Sequence, residues 1–327
     1  MEPISTRGWI RRFDLRADDS GARGADAGAM LLAHPEPAAT RAAAGDAVIR
    51  VRGLRKSYPG REAVRGIDLD VHRGEILAVL GPNGAGKTTT VSILEGFLAA
   101  DGGTVSVLGE DPARAGRAWR ERLGVVLQES APEPDLTVRE MLELHAGWYA
   151  APRPVDATLA LAGLAGLADR AERRGAQLSG GERRRLDVAL ALVGDPELVF
   201  LDEPTTGFDP AARRAAWDVI AGLRDLGVTV VLTTHYMEEA ERLADRIVVL
   251  VDGEIRAAGT PATLGGRDRA PATIAYTLDG ERVELRTREP MAALHELTGR
   301  ALREGIEARD LEVRRPTLED VYLELTR

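Results

Sequence analysis

The sequence contains no cysteine, few aromatic residues and almost no lysine. Without cysteine the chain can form no disulfide, no thiolate nucleophile and no cysteine-ligated zinc or iron–sulfur site. Aromatic residues make up only 4% of the 327 residues, so a hydrophobic core must consist mainly of aliphatic side chains and alanine. The two lysines are Lys56 and Lys87, and all other basic residues are arginines.

Long apolar runs are also missing. No stretch approaches the roughly 18–20 apolar residues that a membrane-spanning helix needs, and residues 1–30 carry no pattern typical of a signal peptide. We therefore expect a protein of the cytoplasm, whose role at a membrane would depend on a partner. The formal net charge of −9 argues against nucleic acid as a main partner, because phosphate binding needs clustered basic residues.

The composition divides the chain into three predicted segments. Residues 1–46 are rich in Ala, Gly, Arg and Asp and predict a flexible tail, either a solvated extension or a docking arm. Residues 47–266 alternate strand-like and helical runs, which predicts a parallel α/β sheet with functional residues beyond the strand carboxyl ends. Residues 267–327 read as a hairpin around Asp279 and Gly280, a helix, a strand and a final helix, so we expect a small accessory α+β region.

A glycine-rich segment follows the strand-like run EILAVL and precedes a helical run. This is the context of a phosphate-binding P-loop, in which glycines let backbone N–H groups surround phosphates and the helix N-terminus adds partial positive charge. We expect the lysine to reach the β- and γ-phosphates and the first threonine to ligate Mg²⁺. The predicted nucleotide-binding residues here are Gly81, Pro82, Asn83, Gly84, Ala85, Gly86, Lys87, Thr88 and Thr89.

Two consecutive carboxylates end the apolar run LVFLDEP. In a parallel sheet they would lie beside the P-loop, with Asp202 holding Mg²⁺ and Glu203 polarising the attacking water. An acidic pair that only caps a helix is the plainer interpretation of the same residues.

The motif LSGGE at Leu178–Glu182 resembles the signature of the ABC ATPase family. The resemblance implies a P-loop NTPase fold of the α/β class, a RecA-like core with antiparallel β and helical subdomains, here followed by the small α+β appendage. It also implies ATP and Mg²⁺ as cofactors, and two ATPase domains that enclose ATP head to tail. The signature residues that would then face the partner's ATP are Ser179, Gly180, Gly181 and Glu182.

The resemblance extends to further positions. Tyr58 matches the aromatic residue that stacks on adenine, although it could be an ordinary turn tyrosine. Gln128 matches a glutamine that senses Mg²⁺ and the membrane partner, Asp209 matches the D-loop residue that couples the two sites, and His235 matches the switch histidine at the γ-phosphate. The chain departs from the commonest pattern at Glu182, where glutamine is usual, and at Phe208, where leucine is usual.

More narrowly, the segment TTHYMEEAERLADRIVVLVDGEI and the closing PTLEDVYLELT resemble ATPase subunits of multidrug exporters of the daunorubicin-resistance type. That resemblance implies a separately encoded transmembrane permease, a homodimer of ATPase subunits and a location on the cytoplasmic face of the membrane. The exported molecule would be a drug, an antibiotic or another hydrophobic small molecule. An importer subunit, or an ABC ATPase that acts on DNA or ribosomes, remains an alternative.

Overall fold

A computed structural model describes residues 47–126, 133–161, 166–278, 281–305 and 308–326. They fall into two compact units. The larger unit extends to Gly265 and includes the residues from Leu318 onward, and the smaller unit is Gly266–Thr317. Among the described residues, no helix has both the length and the hydropathy that a membrane span requires.

The larger unit begins with a three-stranded antiparallel sheet. Its strands are β1 (Ala47–Tyr58), β2 (Arg61–His72) and β4 (Gly102–Val107), in the order β2-β1-β4. Only Pro59 and Gly60 separate β1 from β2, so the two strands pair as a hairpin up to Tyr58 opposite Arg61.

The central sheet has six strands in the order β5-β6-β7-β3-β8-β9. Its strands are β3 (Ile76–Leu80), β5 (Leu123–Val126), β6 (Leu198–Asp202), β7 (Thr229–Thr234), β8 (Arg246–Val251) and β9 (Glu254–Gly259). The first five are parallel, as predicted, whereas β9 runs antiparallel to β8. The reason is the link of two residues, Asp252 and Gly253, which is too short for a crossover to a parallel strand.

Alternate residues of the buried strands pack on opposite faces of the central sheet. On β3, for example, Ile76, Ala78 and Leu80 join a core formed with the helices, while Leu77 and Val79 join a core formed with the antiparallel sheet. Burial on both faces explains why these strands read as nearly continuous apolar runs. The helices of this unit are α1 (Lys87–Leu94), α2 (Arg117–Arg120), α3 (Val138–Ala146), α4 (Val155–Leu159), α5 (Gly180–Leu192), α6 (Pro210–Asp225), α7 (Met237–Leu243) and α9 (Leu318–Leu325).

The smaller unit has a three-stranded antiparallel sheet in the order β11-β10-β12, together with one helix in its described part. The elements are β10 (Ala272–Leu278), β11 (Glu281–Thr287), α8 (Pro290–Glu304) and β12 (Arg309–Arg314). Ile274, Tyr276, Leu278 and Leu297 form its core. Strands β10 and β11 pair as the predicted hairpin, ending at Leu278 opposite Glu281, and the turn itself lies outside the described residues.

The final helix α9 belongs to the larger unit. Its residues Leu318, Tyr322 and Leu325 join the core formed by the central sheet and the helices, and Val321 lies against Gly265. The sequence interpretation grouped residues 267–327 into one region. The structure differs at this helix, because its apolar face is buried in the larger unit.

Candidate nucleotide site

The P-loop connects the central strand β3 to α1. At two of its glycines the surrounding backbone leaves no space for a side chain. A Cβ atom at Gly81 would lie 2.3 Å from the carbonyl oxygen of Leu250, and one at Gly86 would lie 2.4 Å from that of Ala63. Gly86 also has a φ of 100°, in the left-handed region that favours glycine. Glycine is therefore required for the loop to pass this close to its neighbours.

Lys87 begins α1 and is buried, with 7% of its surface exposed. Its ammonium group donates to the carbonyl oxygens of Gly81 (2.7 Å) and Pro82 (3.2 Å), so the side chain lies over its own loop. Burial lowers the pKa of Lys87, and the nearby carboxylates of Glu203 and Asp202 oppose that effect. The lysine and both predicted carboxylates therefore lie in one electrostatic environment.

The helix start itself is open to a ligand. Gly86 is the N-cap residue of α1 and offers no side-chain acceptor to the helix, and no acidic residue occupies the first turn. The next residue after the lysine, Thr88, is exposed. Backbone N–H groups at such an end attract anions, and the helix dipole adds to the attraction.

The predicted carboxylates lie at the carboxyl edge of the sheet, next to β7. Asp202 is paired with Thr233, and the Thr233 hydroxyl donates to the Asp202 carboxylate. The Glu203 backbone N–H donates to both the carbonyl and the hydroxyl oxygen of Thr233, each at 3.1 Å. Glu203 has a φ of 45°, which is unusual for a residue with a side chain and indicates local backbone strain.

His235 follows β7 directly and lies next to Glu203. Its Nδ1 atom is 3.4 Å from Glu203 Oε1, and the Thr206 hydroxyl donates to Glu203 Oε2 at 3.0 Å. The Glu203 side chain is 15% exposed and that of His235 is 42% exposed. Because Leu80 pairs with Thr234, the register also brings the strand before the P-loop beside the strand before the histidine. The structure thus assembles Glu203 and His235, two of the three predicted catalytic side chains, at the P-loop edge of the sheet.

The predicted signature residues form the start of α5. The Ser179 hydroxyl accepts from the backbone N–H of Glu182 (3.3 Å), and the Glu182 carboxylate accepts from the backbone N–H of Ser179 (2.9 Å). This reciprocal pair is a capping box. The other carboxylate oxygen of Glu182 accepts from Arg170 at 2.8 Å. The backbone hydrogen bond from Ser179 and the Arg170 side chain together lower the pKa of Glu182 to about 2.

The remaining predicted residues lie around this assembly. Tyr58 is 45% exposed at the β1–β2 turn, and the guanidinium of Arg61 across that turn donates to the carbonyl oxygen of Gly84 in the P-loop. Asp209 caps α6 by accepting from the backbone N–H groups of Ala211 and Ala212 at 2.8 and 2.9 Å. Gln128 lies outside the described residues.

Sequence reasoning missed a buried polar network behind the carboxylates. Glu239 is fully buried, and its Oε1 atom accepts from Thr205 (2.8 Å) and Trp217 (3.0 Å). Arg184 is also buried and bonds the backbone around Glu203. In the sequence Arg184 stands in a run of three arginines and Glu239 beside another acid, so the local pattern reveals neither their burial nor their partners.

Comparisons with known proteins agree with this geometry. A family profile for ABC transporters matches residues 64–206. A profile for the C-terminal domain of ABC transporter domain-containing proteins matches residues 256–317. Among solved structures, a subunit of the ABC transporter complex cbiONQ from Clostridium perfringens is 27% identical with a TM-score of 0.59, over 66% of this chain and 90% of that chain.

Several relatives match most of the sequence, among them the following two. A daunorubicin resistance ATP-binding protein of Streptomyces coeruleorubidus is 41% identical over 308 residues, which is 86% of this chain and 96% of the relative. A Nod factor export ATP-binding protein of Cupriavidus pinatubonensis is 39% identical over 318 residues, which is 89% of this chain and 93% of the relative.

Proposed function

The chain belongs to the ABC transporter family as an ATP-hydrolysing subunit that powers an exporter, and from that premise we propose how its residues divide the work and what is exported. The sequence resemblance to this family is thereby confirmed, and so is the P-loop ABC fold. The importer alternative is not favoured, because these relatives are named for resistance or export.

The observation that supports the catalytic assignment is the contact between Glu203 and His235 at the P-loop edge. We assign Glu203 as the group that polarises the attacking water, because its carboxylate is partly buried and accepts from the Thr206 hydroxyl, while its backbone N–H donates to Thr233. His235 orients that carboxylate and, with its exposed ring, contacts the γ-phosphate. Lys87 and the P-loop amides hold the β- and γ-phosphates.

The oxygen donors near the P-loop fit Mg²⁺, a hard cation that usually takes one or two carboxylates together with substrate phosphates. Thr88 and Asp202 are the described residues that would hold it, and Gln128 is the third predicted ligand. The Thr233 hydroxyl fixes the orientation of the Asp202 carboxylate. When bound with ATP, the metal neutralises charge on the phosphates.

Subunits of this family work with transmembrane permeases and dimerise. We propose a homodimer with two permease subunits or domains, located on the cytoplasmic face of the membrane. In that assembly Ser179, Gly180 and Gly181 bind the γ-phosphate held by the partner subunit, while Tyr58 stacks on adenine and Asp209 couples the two sites. We also propose a dimer-stabilising or regulatory role for the smaller unit, Gly266–Thr317, which forms most of the predicted accessory region 267–327.

The transported molecule in this proposal is a drug, an antibiotic or another hydrophobic small molecule. The support is the daunorubicin resistance protein, whose match extends over 96% of its own length. Substrate contacts would lie in the permease, so this subunit supplies the energy of transport and not its selectivity.

The decisive variant is Glu203→Gln. We expect it to bind a fluorescent ATP analogue as the unchanged chain does and to lose at least about 100-fold in turnover, because the amide cannot accept a proton from water. An active variant would refute the assignment of the base.

Purification of the subunit from its native membranes with ATP, followed by mass spectrometry, tests the transport role. A polytopic permease without its own ATPase domain is the expected partner, and ribosomes or DNA in its place would overturn the proposal.

A further inference from the structure

A buried guanidinium lies directly behind Glu203. Arg184 belongs to α5, the helix that begins at the signature motif, and only 7% of its surface is exposed. Its Nε atom donates to the carbonyl oxygen of Pro204 at 2.9 Å, and one of its terminal nitrogens donates to that of Asp202 at 3.3 Å. The two acceptors are the backbone carbonyls on either side of Glu203.

Burying the Arg184 charge costs free energy, and packing does not explain why an arginine stands at this position. Burial lowers the pKa of Arg184, and the carboxylates of Asp187, Glu239 and Asp202 offset that effect only in part. Arg184 lines a small pocket together with the apolar side chains of Val188, Phe208 and Ile220. Replacing buried charges by apolar residues is often neutral or stabilising, so packing alone does not account for an arginine here.

The backbone at Glu203 needs support from both sides. Its φ of 45° is strained, and a strained backbone of this kind persists only where the surrounding structure holds it. On one side, Thr233 of β7 accepts the Glu203 N–H. On the other side, Arg184 of α5 holds the two flanking carbonyls.

We infer that Arg184 is a positioning residue that holds Glu203 in its strained, productive orientation and ties it to the signature helix. This inference rests on the proposed role of Glu203 as the base. Because α5 starts at Ser179, a displacement of the signature motif when it meets the partner's ATP would be carried by Arg184 to the base of the same chain. The signature of one site is thereby linked to hydrolysis at the other.

The test compares Arg184→Lys and Arg184→Met with Arg183→Met, a matched control at the adjacent exposed position. Lysine keeps the positive charge but lacks the planar guanidinium that reaches two carbonyl oxygens. The lysine variant therefore still tests the inference if the methionine variant fails to fold. In single-turnover hydrolysis by the purified full-length chain, we expect Arg184→Lys to be about 5–20-fold slower and Arg184→Met about 100-fold slower. Displacements of about 1 Å have effects of this size.

Binding of a fluorescent ATP analogue should stay within about 2-fold for all three variants, since Arg184 does not face the phosphates. A merely structural role would weaken binding and rate together, and it would lower the urea midpoint in proportion. Normal hydrolysis by Arg184→Lys and by any Arg184→Met that folds would overturn the inference. Glu203→Gln, measured in parallel, separates the two proposals. If this variant hydrolyses ATP normally, the assignment of Glu203 as the base fails. If it is inactive while Arg184→Lys and Arg184→Met are fully active, only the role of Arg184 fails.

Discussion

Two helices of the larger unit, α1 and α5, both start at glycine-rich segments that are predicted to hold phosphate, yet the two starts are built differently. At α1 the N-cap residue is Gly86, the first turn has no acidic residue, and a buried lysine lies beside the loop. At α5 the N-cap residue is Ser179, and Glu182 in the first turn completes a capping box and pairs with Arg170.

The difference between these two helix N-termini indicates how each of them can bind phosphate. At α1 the N-cap residue has no side chain that could accept from the first backbone N–H groups, so these groups can bind an anion without the help of another helix. At α5 the serine hydroxyl already accepts a backbone N–H, and a carboxylate lies within the first turn. A phosphate that arrives there must share or replace these bonds. We therefore expect nucleotide affinity to depend on α1, and turnover to depend on both.

The largest expected effect comes from Gly86→Ala. The new Cβ would collide with the carbonyl oxygen of Ala63, and a φ of 100° disfavours any residue with a side chain. ATP affinity should fall at least about 100-fold, as measured with a fluorescent analogue. Gly109→Ala is the control, because Gly109 also has a positive φ but nothing lies within 4 Å of its Cβ position. Equal losses in the two variants would mean that strain alone explains the result.

Ser179→Ala should separate the two helix starts. We expect turnover to fall about 10- to 100-fold, which corresponds to the roughly 1.5–3 kcal/mol that one hydrogen bond to a charged group contributes. The affinity of the isolated chain for ATP should change less than about 2-fold, because Ser179 caps α5 and does not contact the P-loop. A comparable loss of affinity would contradict the division of roles between α1 and α5.

Glu95→Gln tests the other end of α1. Burial, reinforced by the charge of Asp202, raises the pKa of Glu95 from its ordinary value near 4.5 to about 7. The folded chain therefore loses stability as pH rises from about 4.5 to about 7, where this buried carboxyl ionises. Relative to the unchanged chain, the glutamine variant should gain about 2–3 kcal/mol between pH 5 and pH 8 in urea unfolding. Parallel pH profiles would show that Glu95 does not titrate in this way.

The smallest effect is expected from Glu182→Gln. Glutamine has one acceptor oxygen for two donors, the Ser179 N–H and Arg170, so the variant should lose about 1 kcal/mol at pH 7. The pKa of Glu182 is lowered to about 2, so its contribution is present above pH 4.5 and disappears as pH falls toward 2. Glu140→Gln is the matched control, because Glu140 completes the capping box of α3 with Thr137. If Glu182→Gln and Glu140→Gln lost the same free energy of unfolding, the ion pair between Glu182 and Arg170 would contribute nothing to stability.

The sequence was sufficient to predict the P-loop edge because parallel strands bring their carboxyl ends together. Lys87, Asp202 and His235 each follow or end a buried strand, and local pattern was enough to group them. The antiparallel β9 was not foreseen, although the two-residue link that causes it is visible in the sequence. The catalytic and binding roles of all these residues stay predictions.

The residues that the sequence did not reveal depend on contacts between distant segments. Arg184 lies in a run of three consecutive arginines that reads as solvated, and only the structure shows that it is buried and bonded to the carbonyl oxygens of residues 202 and 204. Glu239 reads as one of two consecutive acids, yet it is enclosed by Thr205 and Trp217. Charge patterns along a helix do not distinguish such residues from exposed ones.

The return of α9 to the larger unit makes the smaller unit an insertion rather than a tail. A Cβ atom at Gly265 would lie 2.4 Å from Val321 Cγ1, so the chain leaves and re-enters the larger unit at neighbouring points. For protein engineering, this means that a truncation at residue 266 would strip a packed helix from the ATPase unit. Excision of residues 266–317 with a short glycine bridge would spare that helix, and it is the cleaner way to learn what the inserted unit contributes.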